Sequence, residues 1–261
     1  MTHFIWNIDP VLIHLGPLKI RWYGLFFVGS FFIGLMLGRW MYQREGRDPA
    51  ILDTLLIYLL AGTVIGARLM HCFAYEPDFY LSHPLEIFKV WKGGLASHGG
   101  LIGVIIAAWI FCRRYNEDFL WLLSRTTIPG ALTASFIRLG NFFNSEILGK
   151  PSDLPWAVIF ERVDMIPRHP VQLYESLAYL LLFLVLLGLY KRLSLATSTQ
   201  LLPGLFFTYV FGIRFFLEFF KTKQADYTWN LPLTTGQALS LPFILIGVIW
   251  FVYAYRKTAK K

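Results

Sequence analysis

The sequence predicts an all-α polytopic membrane protein, and three observations predict it. Of 261 residues, 56% are hydrophobic and only 15% charged, with a mean hydropathy of +0.53, whereas a soluble chain carries about 25% charged residues. The apolar residues gather in seven runs long enough, or nearly so, to cross about 30 Å of hydrocarbon. Finally, 24 Phe, 13 Tyr and 9 Trp suit lipid-facing helices with aromatic belts at the interfaces.

A single integral membrane domain over residues 1–261 is therefore expected, with spans near 22–42, 51–73, 95–112, 119–139, 172–190, 202–220 and 237–256. The amino-terminal stretch lacks a basic region followed by an apolar core and a small-residue cleavage site. The first span is expected to direct insertion itself. The third run is the shortest and opens on LASHGGLIG, so its first turn is expected close to an interface. The sixth, recognisable through FFTYVFGIRFFLEFF, carries Arg214 and Glu218 inside apolar sequence.

Orientation follows from the loops, because Lys and Arg are retained on the cytoplasmic side. Arg44 and Arg47, Arg113 and Arg114, Lys191 and Arg192, and the terminal Arg256, Lys257, Lys260 and Lys261 all fall on one side of seven spans. The N-terminus is thus expected outside and the C-terminus in the cytoplasm. The two longest connections, about 74–94 and 140–171, then lie outside as elements of a small extracytoplasmic cap. The second is expected to hold one hairpin around Trp156 to Phe160. No long-period internal repeat is visible.

The net charge of +8 is scattered between apolar runs, which suits anionic lipid head groups rather than nucleic acid. Cys72 and Cys112 form no metal-ligand spacing. Nor is there a serine elbow or a nucleotide-binding loop, so no cofactor or metal is expected. Nothing in the sequence sets an oligomeric state; a monomer is the simpler expectation.

Polar groups nevertheless recur in the apolar segments, where they must meet partners, water or a ligand. The densest group is SFIRLGNFFNSEILG over 135–149, with Arg138, Asn141, Asn144 and Glu146. Arg138 and Asn141 are three apart and share a helix face. The guanidinium fork matches two phosphate oxygens; equally, Arg138 forms an internal salt bridge with Glu146 or Glu218. Tyr23, in RWYG at the first span, is either an interfacial anchor or a phenol offered to a head group. His98 lies between glycine pairs in GGLASHGG and is either structural or a proton acceptor. In RHPVQLYES, Glu175 is too deep for a surface carboxylate and is expected to pair with a tyrosine or histidine. Arg214 and Glu218, four apart, can bridge each other, and Arg125 has no assignable role. Arginines without a nucleotide loop suit a lipid phosphate, and such a site can transfer a group from a phospholipid. A transporter or lipid scramblase lined by these charges, and a structural subunit that pairs them internally, are the other classes.

From RWYG through GGLASHGG, IRLGNFFNSEILGK and HPVQLYE to RFFLEFF, the chain resembles the prolipoprotein diacylglyceryl transferases of bacterial inner membranes. The resemblance implies transfer of the sn-1,2-diacylglyceryl group of phosphatidylglycerol to the lipobox cysteine thiol of a prolipoprotein, leaving a thioether and glycerol phosphate. It implies a multi-pass inner-membrane location and, as functional residues, Tyr23, His98, Arg138, Asn141, Glu146, Gly149, Arg214 and Glu218. The chain departs from the family pattern at Ile137 and Ser145, where glycines are common. It departs again at Lys150, commonly arginine, and at Val210, commonly tyrosine. From their chemistry, the expected roles are His98 as base, Arg138 and Arg214 on the phosphate, Asn141 and Tyr23 orienting the head group, and Glu146 and Glu218 fixing the arginines.

Overall fold

The computed structural model describes residues 3–16, 18–94, 96–222 and 233–258. Seven helices of 19 residues or more occupy the seven predicted runs. Five of them, over Trp22–Arg44, Ile51–Tyr75, Val171–Arg192, Leu195–Phe220 and Gly236–Lys257, are long and apolar enough to cross a membrane, and the chain is a multi-pass membrane protein. The remaining two are diluted by polar residues: Ser97–Tyr115 by glycines and its two terminal arginines, Phe119–Phe143 by Ser124, Arg125, Thr126, Thr127 and Arg138.

The all-α expectation is corrected by five short strands. They are two to five residues long, too short for hydropathy windows tuned to spans to register. The described residues fall into two compact units, Met1–Leu37 with Leu123–Lys261, and Gly38–Leu122.

In the first unit, β1 (Phe4–Trp6) pairs in parallel with β4 (Val158–Phe160), which pairs antiparallel with β5 (Pro167–Arg168). The hairpin expected around Trp156 to Phe160 is therefore present, extended by a strand more than 150 residues away in sequence. Trp6, Phe142, Val158 and Phe160 form a buried cluster, with Trp6 and Phe142 rings 4.4 Å apart. Because Phe142 sits in the last turn of the helix over Phe119–Phe143 (α5), this cluster fastens the small sheet to the end of that helix. A second pair of strands, β2 (Val11–Leu15) and β3 (Leu18–Arg21), is antiparallel. Gly16 has φ +61° in the turn between them, a backbone conformation cheap only for glycine. Their hairpin runs straight into the first long helix (Trp22–Arg44), whose Trp22 N–H donates to the Pro10 carbonyl at 3.1 Å. The helices over Val171–Arg192 (α6), Leu195–Leu217 (α7) and Thr235–Thr258 (α8) complete the unit. α7 and α8 meet at glycine: a methyl on Gly204 would stand 2.7 Å from the Phe251 nitrogen.

The second unit is built on the helices over Ile51–Met70 (α2) and Ser97–Tyr115 (α4). Gly62 and Gly66 of α2 face Gly99 and Gly103 of α4, and a methyl on Gly66 would stand 2.8 Å from Gly103 Cα. This is the four-residue small-residue spacing by which helix backbones approach closely in membranes. An apolar groove of about 590 Å³ runs along the pair, with Ile65 and Ile102 in its walls. Between the two helices, residues 71–92 form a π-turn, a short helix over Pro77–Ser82 (α3) and two 3-10 turns. Buried Arg68 clasps that segment, donating to the carbonyls of Glu86 (2.6 Å), Ile87 (2.9 Å), Gly93 (2.6 Å) and Gly94 (3.2 Å). Its partners lie 18 to 26 residues downstream, so no local spacing announces it.

Candidate functional site

α5 ends in a turn that is strained and tightly bonded. The N–H of Asn144 reaches the Gly140 carbonyl at 3.0 Å, that of Ser145 the Phe142 carbonyl at 3.0 Å, and that of Glu146 the Asn141 carbonyl at 2.9 Å. Ser145 and Ile147 both have φ +56°, a left-handed conformation costing about 1–3 kcal/mol for such residues. Gln172 of α6, fully buried, donates from Nε2 to the Glu146 carbonyl at 2.6 Å and holds the turn in place.

On this scaffold the side chains form a line. Arg138 Nη1 donates to Asn141 Oδ1 at 3.2 Å, Asn141 Nδ2 donates to Glu146 Oε2 at 3.3 Å, and Asn144 Nδ2 donates to Glu146 Oε1 at 3.1 Å. Tyr23 joins them: its ring packs on Gly140, where a methyl would stand 2.7 Å from Cδ2. Its phenol lies in the fields of Glu146 and Arg138.

The acidic partner of Arg138 is Glu175, correcting the expected pairing with Glu146 or Glu218. Glu175 Oε2 stands 2.9 Å from Arg138 Nε, with the carboxylate wholly buried and the guanidinium 14% exposed. The contact is an ion pair whose N–H axis misses the oxygen, so Oε2 keeps no hydrogen bond. Glu175 Oε1 accepts from Lys221 Nζ at 2.9 Å, and the same ammonium stands 3.3 Å from Glu218 Oε2. The expected Tyr or His partner for Glu175 and the expected Arg214–Glu218 bridge are thus both replaced by a buried lysine. The reason is geometric: Lys221 follows the 3-10 turn over Glu218–Phe220 and is drawn inward by backbone pairing. Lys150 N–H donates to the Phe220 carbonyl at 2.7 Å and Thr222 N–H to the Leu148 carbonyl at 3.1 Å.

Gly149 sits inside that pairing, bridged to Lys221 on one side. On the other it presses on His169 and Val171, where a methyl would stand 2.8 Å from His169 Cβ. Arg168 donates to the Gly149 carbonyl at 3.3 Å and is held by Asp164 at 2.5 Å. The Arg168 hydrogen bond keeps the Asp164 carboxyl below the ordinary carboxylate range. Glu218 lies against Gly236 in the first turn of α8, where a methyl would stand 2.6 Å from Oε1; a helix N-terminus favours a carboxylate.

Signs alternate along Arg138, Glu175, Lys221 and Glu218. Half-buried Arg214 remains, and among the described residues it makes no hydrogen bond or ion pair. Buried Tyr179 lies in the fields of both Arg138 and Arg214. The arrangement is a chain of compensated charges with two groups outside its ion pairs, the Arg214 guanidinium and the Glu146 carboxylate, the latter held by the Asn141 and Asn144 amides. Arg125 is separate from it, buried, donating to Ser124 Oγ at 2.9 Å and stacked on Tyr190 with 5.2 Å to the ring centroid. His98 belongs to the other unit, its backbone in the first turn of α4; its side chain lies outside the described residues.

A family model described as prolipoprotein diacylglyceryl transferase matches residues 10–253. Among relatives, the phosphatidylglycerol--prolipoprotein diacylglyceryl transferase of Tolumonas auensis is 50% identical over 256 residues, covering 98% of this chain and 99% of its own. That of Chloroherpeton thalassium is 51% identical over 249 residues, covering 95% and 93%. The Bacteroides fragilis protein of the same name is 41% identical over 268 residues, covering 98% and 97%.

Proposed function

The chain belongs to the prolipoprotein diacylglyceryl transferase family, and from that premise we infer that it transfers the sn-1,2-diacylglyceryl group of phosphatidylglycerol to the lipobox cysteine of prolipoproteins. The observation that carries the reading to particular residues is Arg214, a half-buried cation that makes no ion pair or hydrogen bond among the described residues and whose field reaches Tyr179, as that of Arg138 does. A phosphodiester oxygen supplies the anionic partner that Arg214 does not find among the described residues.

In the proposed step, the cysteine sulfur attacks the glycerol carbon that bears the phosphate. The C–S bond forms as the C–O bond breaks, and its electron pair leaves on glycerol phosphate. The thiol proton passes to a base, for which His98 is the candidate, since thiolate is the effective nucleophile and free cysteine titrates near 8.5. Arg138 and Arg214 hold the phosphate and stabilise charge growing on the leaving oxygen, the kind of contact whose loss costs about 2.7–4 kcal/mol. Tyr23 and Asn141 orient the head group. Glu175, rather than Glu146, sets the Arg138 guanidinium, while Glu218 acts through Lys221.

The seven long helices and the distribution of Lys and Arg support seven spans with the N-terminus outside, in the bacterial inner membrane. The 140–171 segment and the amino-terminal strands then lie on the outer side as cap elements of one integral domain, and a monomer suffices for the chemistry. Incubation of the purified protein with labelled phosphatidylglycerol and a lipobox peptide tests the function. Label on the peptide as a thioether is expected; lipid movement across vesicles without any labelled peptide would instead favour the transporter class.

A further inference from the structure

The three-stranded sheet of the first unit has one covered edge and one open edge. On one side β5 is bridged onward, Arg168 to Pro151. On the other β1 is the margin and, among the described residues, pairs only with β4. In a parallel ladder, alternate residues turn both backbone groups toward the partner strand. The Glu161 N–H donates to the Trp6 carbonyl at 3.2 Å, in a register that sets Trp6 against Phe160. Phe4 and Trp6 therefore face β4, and the N–H and C=O of Ile5 point off the open edge. Ile5 is 50% exposed and Phe4 61%, so this edge carries apolar side chains in place of the charge or proline with which sheets often guard one.

The position of the edge identifies its occupant. Trp6 fastens the sheet to the last turn of α5, its ring 4.4 Å from Phe142 and 5.0 Å from Phe143. Those two residues stand between Asn141 and Asn144 of the candidate site. Two rings in contact hold their backbones roughly 10–13 Å apart, a gap that about four extended residues span at ~3.3 Å each. A polypeptide whose reacting atom lies at the site thus reaches β1 within a few residues. Acyl chains cannot use the Ile5 backbone groups, which call for a partner with an N–H and a C=O of its own.

We propose that the open edge of β1 docks the extended segment that follows the lipobox cysteine of a prolipoprotein, adding it to the sheet as a fourth strand through the N–H and C=O of Ile5. This rests on the transferase reading and deepens it by naming a surface for the acceptor. On the topology inferred above, the amino-terminal strands lie outside the membrane, on the side where that segment emerges. Strand addition draws its affinity from main-chain hydrogen bonds, so one edge serves acceptors whose side chains differ. Successive side chains of the added strand alternate between the two faces of the sheet, meeting Phe4 on the face it shares with Trp6 and Ile5 on the other.

The test gives the purified protein labelled phosphatidylglycerol and either a lipobox peptide ending at the cysteine or one continuing about eight residues beyond it. The longer peptide is expected to show a KM lower by about tenfold at equal kcat, the worth of one or two net hydrogen bonds. Replacing single amides of its added segment by esters, each of which removes one N–H, is expected to raise KM about fivefold at one position. Esters at the two neighbouring positions, whose N–H groups point away, should change it less than twofold. Ile5→Pro deletes the N–H on the open edge, where a strand tolerates proline. It is expected to raise the KM of the longer peptide to that of the shorter and to leave the shorter unaffected. Equal KM for the two peptides, or an ester scan with no sensitive position, would overturn the inference and leave the transferase reading standing. A dimer in detergent that Ile5→Pro splits would assign the edge to a second copy and overturn it likewise. No thioether on either peptide would overturn the transferase reading and this inference with it. The peptide comparisons need no variant, so they decide the matter even where the substitution misfolds.

Discussion

Glu175, with no exposed surface, stands 2.9 Å from the Arg138 guanidinium. The two come from α5 and α6, and the same carboxylate takes the Lys221 ammonium on its other oxygen at 2.9 Å. Removing the carboxylate would strand two cations at once. Glu175→Ala is therefore expected to destabilise the folded protein by about 3–5 kcal/mol, the usual cost of breaking a buried pair from one side. Unfolding in detergent measures it. A loss below about 1 kcal/mol would mean that water or another anion compensates these cations.

Gly149 is hemmed by His169 and Val171 on one side and paired with Lys221 on the other. Gly149→Ala must displace backbone rather than a flexible side-chain tip. The cost is expected at about 1–3 kcal/mol, with turnover falling further because Lys221 moves with the strand. Wild-type stability and turnover together would show that the segment yields.

The stability of the segment around Asp164 and Arg168 carries a pH signature. The Arg168 hydrogen bond lowers the Asp164 carboxyl, so the native state binds this proton less tightly than the unfolded chain. Its contribution is complete above the unfolded value, about 3.9, and is lost as pH falls through the lower native value. The side chain is 28% exposed, which limits the gain to about 1 kcal/mol. Asp164→Asn should melt slightly lower than the unaltered protein at pH 7, and the gap should close as pH falls below about 3.9. A constant gap across that range would assign the effect to packing.

His98 is tested by its pH profile. As the base, its replacement by Gln should lower turnover at pH 7 by about a hundredfold, within the 10²–10⁴ range for a positioned proton acceptor, and higher pH should restore part of it as the thiol ionises unaided. Near-wild-type turnover at pH 7 would make the imidazole structural.

Much of the fold and site is legible in the sequence, and the exceptions share a cause. Hydropathy locates the long helices because an apolar run of about 20 residues is a local property. Arg138, Asn141 and Glu146 stand out because polar groups are rare in such runs, and their spacing is also local. Lys221 looks like one more basic residue after a helix, since its partner Glu175 lies 46 residues back. The pairing of Phe4 with Val158 is equally hidden, because a three-residue strand has too little alternation to detect and its partner is set by tertiary folding. For the same reason, motif spacing points to Glu146 and Glu218 as the acid beside Arg138, whereas the fold supplies it from α6.

The central claim is that Arg138 and Arg214 together hold the phosphate of the donor lipid. Its most direct measurement is kcat/KM for phosphatidylglycerol in Arg138→Lys and Arg214→Lys, each confirmed as folded by its melting curve. Lysine keeps the charge and loses the planar fork, so each is expected to fall by about a hundredfold or more. Wild-type kcat/KM in both folded variants would contradict the claim.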